Sequence, residues 1–320
     1  MPAVVEITLD RVRRNAVAIA DRTGVPLLAV VKADAYGLGA ARVADALTDL
    51  GNRLAGFYVF DAAEAVEADL HRRTGRRTVA LHGDWSDPDD YRAAHIQPVV
   101  WSVERARSLR AAHPVLSLDT GQQRFACPPT EADAVCQAGD CHEAMTHATR
   151  PEHAEQLRQF ADRWHPRPFL HAAGSALLDA PSAWFDAVRP GMALYAGAVR
   201  LSAPLIEVRD AVGPAGYTGF CVQRFGVIGV GYRNGLKPGP CRVGGRTSRV
   251  LEVGMQSAFV EVTPADRAGD PVVLLGHDHP DGQSGDPTDS LTELDVARAW
   301  NVSPQEVLVR VTAAGSRQYR

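Results

Sequence analysis

The stretch LLAVVKADAYGLG, residues 27–39, holds an unbroken aliphatic run that ends on a lysine. Aliphatic residues in a row suit a strand buried on both faces, as in a parallel sheet, and lysine is among the side chains least often buried. Outward from this stretch, as far as residue 190, short apolar runs alternate with helical patterns, the signature of repeated βα units. The strand candidates are LLAVV (27–31), AGFYVF (55–60), TVALHG (78–83), IQPVVWS (96–102), VLSLD (115–119), EAMTHA (143–148), PFLHAA (168–173) and a weaker one ending at AVRPG (187–191). Between them lie ARVADALTDLG, DAAEAVEADLHRR, VERARSLRAAH and PEHAEQLRQFADRW, each with apolar residues near the helical period. This rhythm predicts a (β/α)8 barrel, with a doubly wound open sheet as the alternative.

Beyond residue 200 the texture changes to β-rich segments with Gly/Pro turns, among them GYTGFCVQRFGVIGVGY, RTSRVLEVGMQSAFVEV and DPVVLLG. The expected division is a barrel over residues 8–200 and a mostly β domain over 201–320, joined by residues 1–7. Two capping boxes predict short helices near the end, Ser290 with Glu293 and Ser303 with Glu306, the second with Pro304 at its first helical position.

A chain of 320 residues can bury a large core, and its net charge of -4 implies no broad attraction to nucleic acid or an anionic membrane. No apolar stretch reaches the ~18 residues that span a bilayer. Five cysteines, odd in number and irregularly spaced with no signal peptide before them, predict a reducing compartment, the cytoplasm. Cys136, Cys141, His142 and His147 lie close in sequence but lack the tight pairs of a structural zinc site, so no metal is expected.

In a barrel of this kind the active site forms at the carboxyl ends of the strands, where Lys32 stands. An amine held among apolar groups loses proton affinity, and the neutral form attacks carbonyls to give a Schiff base. The strand alone leaves a second reading open, a lysine that snorkels from the barrel rim.

Further segments bear on that choice. AVVKADAYGLG resembles the lysine motif of the alanine racemase family, fold-type III pyridoxal-phosphate enzymes with a barrel and a C-terminal β domain. The resemblance continues in order along most of the chain: LDTGQQRF (Arg124), MTHAT (His147), HAAGS (His171 and Ser175), VRPGMALYAG (Arg189, Gly191 and Met192), VIGVGYRNGL (Tyr232) and VGMQS (Met255). It implies that Lys32 carries pyridoxal 5′-phosphate. Tyr36, Ser175 and the amides near Gly191 and Met192 can serve its phosphate, since a phosphate wants hydroxyls and free N–H groups. Arg189 is implied to meet the pyridine nitrogen, where a guanidinium can hydrogen-bond but cannot readily protonate the ring. The histidines His147 and His171 would support these groups. Arg124 and Met255 fall on the substrate side. Racemisation needs a base on one face of the substrate's α-carbon and an acid on the other. The resemblance gives Lys32 the proton of the D-substrate and Tyr232, contributed by the partner subunit, that of the L-substrate. A homodimer with shared sites follows.

Departures cluster on the substrate side. Ser117 stands where many members carry a carbamylated lysine, Gln256 replaces an acid, and Glu252 falls where an arginine often lines the entry path. Leu38 and Gly174 replace a histidine and an asparagine. The expected activity is amino-acid racemisation, with alanine as substrate. The alternatives are another amino acid, such as serine or a basic one, or a retro-aldol or decarboxylation reaction. A non-enzymatic cofactor-binding barrel is disfavoured by the β domain that bears Tyr232.

Overall fold

The computed structural model describes residues 3–82, 85–278 and 289–320. The chain divides into two compact units, one comprising residues 12–35 and 39–194, the other the residues up to 11, 36–38 and those from 195 on.

The strands in chain order begin with β1 (Val4–Ile7), which belongs to the second unit. The first unit holds β2 (Leu27–Val30), β3 (Leu54–Asp61), β4 (Arg77–His82), β5 (Ile96–Val100), β6 (Val115–Ser117), β7 (Glu143–Ala148), β8 (Phe169–Gly174) and β9 (Ala187–Arg189). Among the described residues these eight run parallel and close into a barrel. Leu27 pairs with Val188 across the closing seam, which excludes the open sheet. All four residues of β2 are buried, as a strand with a filled barrel on one side and helices on the other requires.

The helices follow their caps. Asp61 caps helix Ala62–Glu67, Ser102 caps Val103–Ser108, and Asp87 caps Pro88–Ala93 with proline in its first turn. Three segments expected as single helices are each broken; in one of them Ala40–Leu47 passes into a 3-10 turn, Thr48–Arg53. Asp69, at φ 53°, separates Ala62–Glu67 from Leu70–Thr74, and the helix begun at Val103 passes into a tight turn, Arg110–Ala112, that stops at His113. Aspartate tolerates the left-handed region better than most residues, and the break lets Leu70 bury completely.

The other unit is a sheet of mainly antiparallel strands: β10 (Val199–Asp210), β11 (Arg224–Ile228), β12 (Gly239–Val243), β13 (Arg246–Val253), β14 (Ala258–Glu261), β15 (Pro271–His277), β16 (Ser290–Leu291) and β17 (Ser316–Tyr319), with β1 between β10 and β17. The capping box expected at Ser290 and Glu293 is not formed. Ser290 pairs with His277 in the sheet, and the box is built two residues on, by Thr292 and Asp295. Leu291 must turn inward to the core, which keeps Ser290 extended, and the Glu293 carboxylate instead accepts the Gly197 N–H at 3.0 Å. Ser303 does cap Pro304–Thr312, but the Glu306 side chain turns to Arg310 at 2.8 Å.

Candidate active site

Beyond β2 the chain does not enter an ordinary helix. Ala33, Asp34, Ala35 and Tyr36 all lie in the left-handed region, with φ from 52° to 57°. Each such non-glycine residue costs about 1–2 kcal/mol, so surrounding bonds must hold the turn. Ala35 N–H donates to Val31 O at 2.7 Å, Ala40 N–H to Asp34 Oδ1 at 2.8 Å, and Ala33 N–H to Glu64 Oε1 at 2.7 Å. Lys32 starts this turn at the carboxyl end of β2, its side chain half-buried. Its pKa lies below the ordinary lysine value. Burial does most of this, Arg124 adds to it, Glu64 opposes it, and Arg189 adds again.

Arg189 ends β9, next to β2 across the seam, where Val30 N–H donates to Pro190 O at 3.0 Å. Its guanidinium is buried, donating to Thr146 O, to Ala172 O at 3.1 Å and to Met145 Sδ at 3.3 Å. It lies 5.2 Å from the centre of the Tyr58 ring, and burial lowers its pKa. Its Nε is buried with no partner among the described residues, an expensive state for a charged group's donor unless something else comes to meet it.

Beneath it, strands far apart in sequence bring three polar groups together. His171 and the Glu143 carboxylate are 2.9 Å apart, and Arg77 donates to the same carboxylate at 3.2 Å. Burial favours the protonated acid, yet His171 and Arg77 outweigh it and hold Glu143 down at about 2. Burial also keeps His171 neutral, pushed down to about 4 although Glu143 opposes the shift. A neutral His171 therefore gives its Nε2–H to Glu143, and its buried Nδ1 has no partner among the described residues. His147, at the other end of β7, is reached by solvent but ringed by the barrel wall. Desolvation and then the charges of Arg189, Arg124 and Lys32 bring it to about 4.

Ser175 follows β8, and its Oγ accepts from the Gly191 N–H at 3.1 Å and the Ala193 N–H at 3.0 Å. Tyr36 packs its ring 5.2 Å from that of Tyr195, and burial raises its hydroxyl pKa. The loop after β6 is wound by Asp119, whose carboxylate accepts the N–H groups of Gly121 and Gln123 at 2.8 and 3.0 Å. That loop presents Arg124, exposed, over the Phe125 ring. Cys136, Cys141 and His142 lie at the amino end of β7, a strand's length from His147.

In the β-rich unit, Tyr232 and Met255 come together through their backbones. Tyr232 N–H donates to Gly254 O at 2.9 Å and Arg233 N–H to Met255 O at 3.1 Å. A Cβ at Gly231 would drive into the carbonyls of Gly254 and Met255, so glycine is required for this approach. Both side chains are more than half exposed. Glu252, expected near an entry path, spends its carboxylate on a loop, accepting from Tyr217 N–H at 2.9 Å, Thr218 N–H at 2.7 Å and Thr218 Oγ1 at 2.6 Å.

A family model described as alanine racemase, N-terminal domain, matches residues 7–199. The chain is 31% identical to an alanine racemase of Jannaschia sp. (strain CCS1), over 84% of this chain and 85% of that one. It is 30% identical to a biosynthetic alanine racemase of Salmonella typhimurium, over 92% of each. The chain belongs to the alanine racemase family. Among solved structures, the biosynthetic alanine racemase of Pseudomonas aeruginosa matches with a TM-score of 0.84 at 28% identity, covering 100% of this chain and 99% of that one. The alanine racemase of Bartonella henselae, solved with covalently bound pyridoxal phosphate, is alike in fold, with a TM-score of 0.84 at 21% identity and full coverage of both chains. Against the family's segments quoted above, sequence reasoning had not found Glu64, Tyr58, Glu143 or Arg77 as neighbours of the site. For Glu64 a signal existed, the capping pattern DAAE at 61–64.

Proposed function

We propose that this chain interconverts L- and D-alanine, using pyridoxal 5′-phosphate, with Lys32 and Tyr232 as the paired base and acid. One observation carries the reading: on the same barrel face, a lysine whose proton affinity is lowered stands near a buried guanidinium whose Nε has no partner among the described residues. A pyridoxal cofactor needs a nucleophilic amine at its aldehyde and a hydrogen-bond donor at its pyridine nitrogen, and the residues present fit it.

Lys32 would hold the cofactor covalently, and Arg189 would offer its Nε–H to the ring nitrogen. Ser175, Tyr36 and the amides of Gly191 and Met192 would serve the phosphate, with His147 and His171 supporting. When bound, the cofactor supplies an electron-withdrawing ring that acidifies the α-hydrogen of the amino acid attached to it. Lys32 takes or returns that proton on the D-face, and Tyr232 does so on the L-face. Arg124 and Met255 orient the substrate carboxylate. Arg189 keeps its own proton, as a guanidinium does, so it would hydrogen-bond the ring nitrogen without charging it. In that place Arg189 would temper the pull on electrons and disfavour side reactions such as transamination.

The active form in this reading is a homodimer, with Tyr232 of the partner subunit completing each site; the exposure of Tyr232 and Met255 supports it. The cytoplasm is the proposed location, in keeping with five cysteines that are all free thiols. No helix among the described residues is long and apolar enough to cross a membrane.

The test is proton NMR of the cofactor-loaded protein in heavy water with each enantiomer of alanine. Loss of the α-proton signal from both, with the opposite enantiomer appearing, is expected. Loaded protein that exchanges neither would overturn the reading. Lys32→Ala is expected to abolish the visible absorbance of bound cofactor, and its persistence would remove Lys32 from the role.

A further inference from the structure

Glu64 is the third residue of the helix Ala62–Glu67, and Asp61 caps that helix by accepting the Glu64 N–H at 3.0 Å. In an ordinary capping box the glutamate would reach back to the N–H of the capping residue. Here it reaches past it. Oε2 accepts the N–H of Phe60, on β3, at 2.8 Å, while Oε1 crosses to the neighbouring strand's exit and accepts the N–H of Ala33 at 2.7 Å. One carboxylate therefore ties the end of β3 to the residue directly after Lys32, at the start of the left-handed turn.

We propose that Glu64 is a positioning residue for Lys32, clamping the strained turn that aims it and setting a negative charge beside its amine. This rests on the reading of Lys32 as the cofactor lysine. Arg124 from the loop after β6 and Arg189 from β9 act on the amine with positive charge, and His147 from β7 is near enough to feel the charge of Lys32. Among the described residues, the charges that act on Lys32 are those of Arg124 and Arg189, which lower its proton affinity, and that of Glu64, which favours its protonated form. A lysine that must both take and return a proton needs such an offset, because burial and two guanidinium groups together would leave its amine a poor proton carrier.

Clamp and charge can be separated by substitution. Glu64→Gln removes the charge and keeps one acceptor, whereas Glu64→Asp keeps the charge but is one methylene too short to span both N–H groups. The measurement uses the full chain without cofactor. The Lys32 amine is followed by NMR titration, identified as the lysine signal missing from Lys32→Ala, and the Ala33 amide by hydrogen exchange. Lys32 is expected to titrate lower in Glu64→Gln than in the wild type. In Glu64→Asp it should stay near the wild-type value while the Ala33 amide loses protection. In the loaded enzyme, Glu64→Gln is expected to lower kcat several-fold with little change in KM. An unchanged Lys32 titration in Glu64→Gln overturns the charge role, and a still-protected Ala33 amide in Glu64→Asp overturns the clamp. The second comparison decides the clamp even if Glu64→Gln does not fold. Because these readouts need no cofactor, they stand apart from Lys32→Ala absorbance, which tests the underlying reading.

Discussion

At the scale of single residues, the barrel interior is organised by a few charges that burial makes costly. His171 and Glu143 show how that cost depends on pH. The folded pKa of His171, about 4, lies below its ordinary 6.5, so the unfolded chain binds more protons between these values. Stability is then full above 6.5 and falls as the pH drops toward 4. Glu143, held at about 2 against an ordinary 4.5, repeats the loss in a lower window, from 4.5 downward. Urea unfolding of the full chain between pH 7 and 4 should show stability falling by as much as about 1.4 kcal/mol per pH unit from a group like His171. His171→Gln, which keeps a donor for Glu143, is expected to flatten that fall. A slope as steep as the wild type's in this variant would mean that His171 is not buried neutral. Ser175 makes a simpler case. Its Oγ holds two amides, so Ser175→Ala is expected to weaken cofactor affinity about tenfold, the worth of one or two hydrogen bonds, read by equilibrium titration of the absorbance.

At the scale of elements, what was legible followed from local pattern. The eight barrel strands could be read because a strand buried on both faces is a run of apolar residues, and Lys32 and Arg189 because each charge closes such a run. The turn after Lys32 could not be read. KADAY is an acceptable helical sequence, and the local bonds at Val31 and Asp34 are joined by a long-range one, from Ala33 to Glu64, in holding its residues in the left-handed region. The Glu143, His171 and Arg77 cluster was also hidden, since closure of the barrel brings β7, β8 and β4 together and no spacing in the chain records it. The Tyr232 turn stands between these cases. Its glycine was visible as part of a familiar segment, but the reason for it, the carbonyls of Gly254 and Met255 packed against Gly231, is a contact between two distant loops. Gly231→Ala should push the Tyr232 segment off Met255. Cofactor absorbance is expected to stay intact while racemisation drops about tenfold or more, since misplacing a catalytic group by an ångström costs at least that much. Unchanged rates in both directions would show that the position of Tyr232 is not critical.

At the scale of the whole molecule, the two proposed proton carriers belong to different compact units, Lys32 to the barrel and Tyr232 to the β-rich unit. Tyr232 and Met255, both exposed on their own unit, are side chains that a second copy could cover. If each site draws Lys32 from one subunit and Tyr232 from the other, two inactive variants should repair one another. In a mixed dimer of Lys32→Ala and Tyr232→Phe, one site carries both substitutions and the other carries neither. Random exchange of equal amounts makes half the dimers mixed, so about a quarter of the wild-type activity should return on mixing. Each variant alone should show little, Lys32→Ala for want of cofactor and Tyr232→Phe for want of proton transfer on the L-face. The assay is alanine racemisation before and after the variants are unfolded together and refolded with pyridoxal phosphate, beside wild-type protein treated in the same way. Recovery near that fraction requires a site built across two chains, because no single chain in the mixture holds both residues. Refolded wild type that regains activity beside a mixture that regains none would place Lys32 and Tyr232 of each site on the same chain.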